Sequence, residues 1–474
     1  MTKQCLKIDL KGVQFRNKGA YLMLKSCMVA LNEQVPNWQL VLSPGPNLPY
    51  RERAALQAWQ KLSFRRGALD ITGALAHLPC QHLLQRYGII TEANIDAVLD
   101  VSGFSYGDAW PLAFLQHTAN EVERFAKAGK PYLFLPQAFG PFDKPGYAEA
   151  MRRIITAAHT IWVRDMDSMQ HLQRLIAPTL STTHFASAQS TCSNWTPTDQ
   201  NPRSNWTPTT NKPLDKPPMG NLLSIHKLSD RQHALLTKLK LAPDLTVGLN
   251  PDSIGVARAT KLLLSTLQPC RQTHQSPSQQ EVLPDFAVLI PNRQLFRADT
   301  NGQLWQQFID YAKAMIRYCQ QRHWQVLLLN HEGAQDAAIC DTLSHALCDE
   351  YQSVAVPQLN VDDPIELKAI IGQSQLVISA RFHAVVSAIS QSVPVIVNSW
   401  SHKYQALLAD YHLEHACMDF RRSWPAAELT PYCNALISQQ RQTSAQRQTI
   451  IQQQQQQLAL LWQEVGEQLR AINK

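Results

Sequence analysis

The sequence is short of several features that would declare a function outright. No run of 18 apolar residues occurs among its 474, so no segment reads as a membrane-spanning helix. The opening stretch, MTKQCLKIDLKGVQFRNKGA, has no uninterrupted apolar core and no small-residue cleavage site. The expectation is therefore a cytoplasmic chain without a secretion signal. The ten cysteines stand singly between Cys5 and Cys433, with no C-x-x-C pair. They read as reduced thiols, mostly in cores, and their spacing offers no metal-ligand set. No G-x-G-x-x-G follows a strand-like run, which argues against a dinucleotide oxidoreductase, and no G-x-x-x-x-G-K-[ST] phosphate loop is present. Charged residues make up only 17%, and the net charge of +7 is spread without a Lys/Arg block. Such diffuse basicity does not point to nucleic acid; an anionic small substrate or a nearby anionic membrane accounts for it.

What is abundant is apolar sequence, 45% of the chain, broken at regular intervals. The length calls for two or more domains. In the first third, LKIDL (6–10), QLVLSP (39–44), IDAVLDVSG (95–103), PYLFLPQAFGPF (131–142) and TIWVRD (160–165) read as strands. Helical patterns at 20–31, 110–128 and 146–158 separate them. This alternation predicts a parallel, doubly wound α/β sheet. A second set follows: FAVLIPN (286–292), WQVLLLNHE (324–332), SVAVPQL (353–359), QLVISAR (375–381) and VPVIVNSW (393–400). The predicted architecture is two Rossmann-like domains, 1–185 and 241–433, joined by a low-complexity linker or insertion at 186–240. The core of that linker, about 186–221, is rich in Ser, Thr, Asn and Pro and repeats SNWTPT; it buries too little to offset chain entropy. A polar stretch at 266–285 reads as a loop. A Gln-rich tail, 434–474, places Leu458, Leu461, Trp462, Val465, Leu469 and Ile472 at helical spacing and predicts a helix packed across the domains.

In open α/β sheets, ligands bind beyond the carboxyl ends of the strands. The polar residues there are the candidates. The first loop carries Arg16, Asn17, Lys18 and Gly19 ahead of a helix, where glycine admits close approach and the helix N-terminus favours an anion. The loop after VLDVSG carries Ser102 and Gly103, with Asp108 expected to cap the next helix. LPQAFGPF places Gln137 at another strand end, and Arg164 is expected to pair locally with Asp165 or Asp167. The second domain offers a sharper set: Asn292 and Arg293, His331 and Glu332, then Arg381 and His383, with Lys403 beyond. Arginine suits bidentate recognition of carboxylate or phosphate, and histidine suits proton transfer near neutrality. The bland alternatives are that Arg381 pairs with a buried acid, His383 caps or packs, and Lys403 is a surface lysine.

The segment QLVISARFHAVVSAISQSVPVIVNSWSHKYQALLADY resembles the signature region of the polysaccharide pyruvyl transferase family, with Arg-x-His opening a helix, a Ser-Val-Pro strand and a Lys-containing loop. NKGAYLML, DVSGFSYGD, LPQAFGPF, VRDMDSMQHL, LIPNR and LLLNHEG resemble the family's other landmarks in order, over roughly 5–185 and 240–420. LAPDLTVGL (241–249) is similar to the segment that resumes after the linker. The chain departs from the pattern at Gly103-Phe104, where the family pairs two glycines, and at QAFG.

The resemblance implies a GT-B-like arrangement of the two domains. It implies transfer of the enolpyruvyl unit of phosphoenolpyruvate to two hydroxyls of one sugar, giving a pyruvate ketal in a polysaccharide or its precursor. Arg381 and His383 are then the catalytic candidates. Arg293, Asn292, Asn17, Lys18, Gly19, Ser102, Gly103, Gln137, His331, Glu332 and Lys403 are the substrate-binding ones. Phosphoenolpyruvate is a co-substrate, no cofactor or metal is required because arginine neutralises phosphate charge, and nucleic acid is not a partner. A lipid-linked acceptor would hold the protein peripherally at the inner membrane face. The rivals are a GT-B nucleotide-sugar glycosyltransferase and a non-catalytic, sugar-binding member of a polysaccharide assembly complex.

Overall fold

The computed structural model describes residues 5–67, 69–177, 228–267, 282–348, 355–400 and 403–472. The expected Ser/Thr/Asn/Pro-rich stretch at 186–221 and most of the polar stretch at 266–285 lie outside them. The strands in chain order are β1 (Leu6–Lys11), β2 (Trp38–Leu42), β3 (Trp59–Lys61), β4 (Arg65–Arg66), β5 (Leu69–Asp70), β6 (Ile89–Ile90), β7 (Ala97–Asp100), β8 (Tyr132–Gln137), β9 (Thr160–Val163), β10 (Leu239–Leu241), β11 (Phe286–Ile290), β12 (Gln325–Asn330), β13 (Gln358–Asn360), β14 (Leu376–Ser379) and β15 (Val395–Val397).

They form two large sheets and one small hairpin. The first sheet runs β10-β9-β8-β7-β1-β2-β3-β6 and the second β13-β12-β11-β14-β15; β4 and β5 pair antiparallel beside the first. Every pairing in the two large sheets is parallel. Strands β7, β8, β9, β11, β14 and β15 are buried along their whole length. That is why they read as unbroken apolar runs rather than as alternating patterns: a parallel sheet is covered by helices on both faces.

Each sheet reverses its winding once. In the first, the order steps from β1 to β2 and β3 on one side and from β7 to β10 on the other. In the second, β12 and β13 lie to one side of β11, and β14 and β15 to the other. The crevices therefore open between the loops after β1 and β7, and between the loops after β11 and β14. The two sets of strand ends face one another: Asn17, after β1, bonds Glu332, after β12. This is a doubly wound α/β fold with two Rossmann-like domains in a GT-B-like arrangement.

Strand β10 belongs to the first sheet, so the chain returns to it at 239–241 before crossing over. The tail forms two helices, Ala426–Gln442 and Ser444–Ala471. The second buries Leu458, Leu461, Trp462, Val465 and Leu469 in a core cluster that also holds residues of both sheets. Its Arg470 bonds the Gln34 carbonyl and its Glu464 pairs with Lys240 in the first domain, while Gln448 accepts from Ser392 in the second. Among the described residues, no helix is long and apolar enough to cross a membrane.

Candidate functional site

The first-domain side is set by three loops. Asn17 is extended and caps the helix Lys18–Gln34, its Oδ1 accepting from the N–H groups of Gly19 and Ala20 at 3.0 and 3.2 Å. Its Nδ2 donates across the cleft to Glu332 Oε1 at 3.2 Å. The Lys18 N–H donates to the His331 carbonyl, and its Nζ to the Asp362 carbonyl at 3.0 Å. Lys18 is thus committed to the other domain's backbone. Ser102 and Gln137 gather instead around buried Asp100. Ser102 Oγ donates to Asp100 Oδ1 at 2.7 Å, and Gln137 Nε2 to the Asp100 carbonyl at 3.1 Å. Gly103 adopts a positive φ of 73° and its carbonyl accepts from Ala138, so the glycine is required by the turn. Next to it, the Phe104 ring lies 5.6 Å from Lys403 Nζ of the second domain. The residue that departs from the family pattern is the one that reaches the cleft.

The second domain supplies the rest. Asn292 is buried and structural: its Nδ2 donates to the Ala380 carbonyl at 2.9 Å and its Oδ1 caps Gln294, so it ties the loop after β11 to the loop after β14. Arg293 beside it is exposed. Arg381 precedes the helix Phe382–Ser390. Its guanidinium is held by Asp336 Oδ2, at 2.8 Å from Nε and 2.5 Å from Nη2, and by Glu332. Of the two roles the sequence allows Arg381, the pairing with a buried acid is the contact present. His331 is buried with an unpartnered Nε2, and burial together with Arg381, His383 and Lys18 holds its pKa well below the ordinary histidine value.

His383 sits where the domains meet. The ring fills the space over Gly19: a Cβ on Gly19 would stand 2.5 Å from the imidazole Cγ and closer still to Nδ1. The other nitrogen, Nε2, lies 3.8 Å from Asp244 Oδ2, beyond hydrogen-bond reach, and is buried without a partner. Asp244 follows β10, and its Oδ1 accepts from the Thr246 N–H and hydroxyl at 2.9 and 2.6 Å. Burial raises the Asp244 pKa, but His383, Arg164 and the Thr246 bonds outweigh it, so the carboxylate lies below its ordinary value. Burial drives the His383 pKa down to about 4; Asp244 opposes that, and Arg164 and Lys403 add to it. The imidazole is therefore neutral at pH 7, a proton acceptor rather than a resting acid.

Two expectations are corrected here. Arg164 does not pair with Asp165 or Asp167: it reaches Asp244 at 3.1 Å and lies over the Phe382 ring at 4.4 Å. Asp165 is occupied as the N-cap of the helix Met166–Ile176. Asp108 does not cap the helix Leu112–Lys127; it accepts from the backbone N–H groups of Asp143 and Lys144 and joins two loops.

Lys403 completes the cleft. Its ammonium stands 4.5 Å from the Trp400 ring and 5.5–5.7 Å from those of Phe382, Phe104 and Tyr404. No carboxylate pairs with it among the described residues. Burial, then Arg164 and Arg381, bring its pKa down to about 7. Arg164, Asp244, Phe382 and Lys403 line one cavity between the domains. The site thus holds one ammonium without a carboxylate partner among the described residues, a neutral imidazole, and aromatic walls. Chemically, an unpaired ammonium beside a neutral imidazole can take an anion next to a proton acceptor. Among the described residues, no group of three His, Cys, Asp or Glu side chains is placed to hold a metal ion.

Comparison with known proteins gives one match in sequence and several in shape. No curated protein matches the chain by sequence. Similar solved structures include a UDP-GlcNAc 2-epimerase from Neisseria meningitidis, 9% identical, with 94% of each chain covered and a TM-score of 0.49. A glycosyltransferase from Rickettsia africae is 12% identical over 99% of each chain, TM-score 0.49. The E. coli ADP-heptose LPS heptosyltransferase II is 11% identical over 92% of this chain and 99% of that one, TM-score 0.40. The family model for polysaccharide pyruvyl transferase matches residues 17–213 and 231–402. That span takes in the Asn17–Gly19 loop, Ser102 and Gly103, Asp244, Asn292 and Arg293, and the Arg381–His383 turn, and covers most of the sequence: this chain belongs to the polysaccharide pyruvyl transferases.

Proposed function

We propose that the protein moves the enolpyruvyl unit of phosphoenolpyruvate onto two hydroxyls of one sugar, in a polysaccharide or its precursor, forming a cyclic pyruvate ketal and releasing phosphate. The observation that carries this reading is Lys403, a desolvated ammonium with no carboxylate partner among the described residues, standing beside Arg164 and Arg381 at the meeting of both switch-point crevices. A ligand with a carboxylate and a phosphate gives that ammonium the negative partner it lacks. Arg293, exposed at the same strand ends, is a second contact for it. Arg381, already paired with Asp336 and Glu332, shapes the floor and contributes field rather than a free fork.

In the proposed reaction, C3 of the donor takes up a proton and C2 bonds to the first hydroxyl oxygen. His383 accepts that hydroxyl's proton at Nε2, and Asp244 steadies the imidazolium that forms. The C2–O bond to phosphate then breaks, and the second hydroxyl closes the ketal. Of the two hydroxyl protons, one replaces the proton taken up at C3 and one departs with phosphate. The charge of the phosphate is met by Lys403, Arg164 and Arg293, so the scheme calls for no cofactor.

The test is calorimetric titration with phosphoenolpyruvate and, beside it, with nucleotide sugars. Arg381→Ala is a poor probe, because it strands buried Asp336 without its partner. Lys403→Met is the better one. The wild type is expected to bind phosphoenolpyruvate with uptake of a proton near pH 8, because the anion raises the Lys403 pKa from about 7. Lys403→Met is expected to bind about 10- to 100-fold more weakly and without that uptake. Saturable binding of nucleotide sugars with none of phosphoenolpyruvate would replace this reading by glycosyl transfer.

A further inference from the structure

The β4–β5 hairpin, at the carboxyl end of β3, has two unlike faces. Its register pairs Arg65 with Asp70 and Arg66 with Leu69, and the Ile71 N–H donates to the Phe64 carbonyl at 3.2 Å. Side chains alternate along a strand, and directly paired residues share a side. Arg65 and Asp70 therefore lie on one face, and Phe64, Arg66, Leu69 and Ile71 on the other. The first face is fastened to the protein. Arg65 reaches Asp70 at 3.3 Å and Glu121 at 3.2 Å, and His117 Nε2 lies 2.7 Å from the Gly67 carbonyl. The second face points to solvent: Phe64 is 46% exposed, Leu69 55% and Ile71 38%, with Arg66 exposed among them.

Exposed apolar residues are also concentrated in the sequence around this hairpin. Six of the fifteen large hydrophobic residues exposed among the described residues fall in one stretch of chain: Tyr50, Phe64, Leu69, Ile71, Leu83 and Tyr87. The exposed side chains between them are strongly biased in sign. Arg51, Arg66 and Arg86 are exposed, against Glu52 as the exposed acid. From 62 to 88, Thr72 is the one described residue that is buried, so this stretch adds little to the core for its length. Apolar and aromatic tips interleaved with arginine suit the boundary between acyl chains and anionic head groups. A second copy of the chain is a poorer occupant. A two-fold contact would set each Arg66 against the same patch on its copy.

We infer that the outward face of the β4–β5 hairpin, with Phe64, Leu69, Ile71 and Arg66 at its centre, docks the protein on an anionic lipid surface. The face lies at the carboxyl end of β3, the end of the first sheet that opens on the cleft, so docking brings the cleft toward acceptors held at that surface. The inference does not depend on which donor the cleft takes.

The test is flotation of the full-length protein with phosphatidylcholine vesicles, with and without phosphatidylglycerol. The wild type is expected to float with the anionic vesicles and to stay behind with the neutral ones. The triple change Phe64→Ser, Leu69→Ser, Ile71→Ser is expected to lower binding by at least about tenfold, and Arg66→Glu by roughly tenfold on anionic vesicles. Thermal melts and donor calorimetry in parallel show that the variants are folded and read the cleft separately. Failure of the wild type to bind anionic vesicles overturns the inference, as does binding that survives both variants. A solution dimer that these changes dissociate also overturns it, and assigns the face to a second copy.

Discussion

Gly19→Ala adds a single methyl and tests the cleft from its narrowest point. The new Cβ would stand 2.5 Å from Cγ and 2.9 Å from Cε1 of His383. Carbon and nitrogen atoms rest about 3.5–4.0 Å apart. The imidazole must therefore retreat by roughly 1 to 1.5 Å, or the two domains must part by a similar distance. A misplacement of about 1 Å costs on the order of 100-fold in rate, about 2.7 kcal/mol of barrier. Stability should move far less. Alanine gains up to about 1 kcal/mol of helix propensity over glycine, against an overpacking cost of about 1–3 kcal/mol. Gly19 has no positive φ, so no backbone strain enters. The expected outcome is a roughly 100-fold loss of phosphate release from phosphoenolpyruvate in the presence of acceptor. The melting temperature should fall by only a few degrees, and donor affinity should stay close to wild type. Gly45→Ala, where an added Cβ meets nothing within 4 Å, is the control. If Gly19→Ala kept its rate within about threefold of wild type, His383 would not be the proton acceptor, or the working geometry would hold the domains further apart than here.

Two further outcomes follow from the charges. Asp244→Asn removes the group that raises the His383 pKa, so the imidazole becomes a weaker base; the maximal rate should fall about 10- to 100-fold, and the acid limb of the pH–rate profile should shift downward from about pH 4. A fall in rate with an unmoved acid limb would make Asp244 structural only. Buried Glu121 is held by Lys11 at 3.0 Å, Lys61 at 2.5 Å and Arg65 at 3.2 Å. Burial raises its pKa and these cations more than reverse that, leaving it well below the ordinary value. Its stabilisation is therefore present above the unfolded glutamate pKa and is lost as pH falls through the folded one. Glu121→Gln should cost about 3–5 kcal/mol at pH 7 in denaturant titration, and the gap from wild type should narrow in strong acid.

The parts of this fold legible in sequence were those whose physics is local or repetitive. Strands such as Ala97–Asp100 and Leu376–Ser379 are buried on both faces, so they appear as apolar runs. β3, β6 and β10 escaped notice because each has only two or three residues, WQK, II and LKL, too few to show a period. The candidate residues at strand ends were findable because topology alone sends ligands there. Their partners were not. Arg164 reads as the partner of Asp165 because the two are adjacent, yet Asp165 caps a helix and Arg164 crosses to Asp244, 80 residues on. Asp244 and Asp336 carry no local signal that one faces His383 and the other holds Arg381. Ser102 and Gln137 stand at strand ends as expected, but their side chains turn to Asp100. Phe104 reads as a departure from a glycine pair; only the folded chain shows it facing Lys403.

The helix Ser444–Ala471 gives the molecule a mechanical axle. At about 1.5 Å per residue, its 28 residues run roughly 42 Å. Near its start, Gln448 and Gln454 hold the second domain through Ser392 and Tyr411; near its end, Glu464 and Arg470 hold the first through Lys240 and the Gln34 carbonyl. The Gln34 carbonyl closes the same helix that Asn17 opens, and the first turn of that helix is where Gly19 meets His383. Any hinge motion that widens the cleft at His383 must twist or bend this rod, or slip one of its end fastenings. A spectroscopic label at one end of the helix, paired with one on the domain fastened at its other end, would therefore report the opening and closing of a cleft that neither label touches.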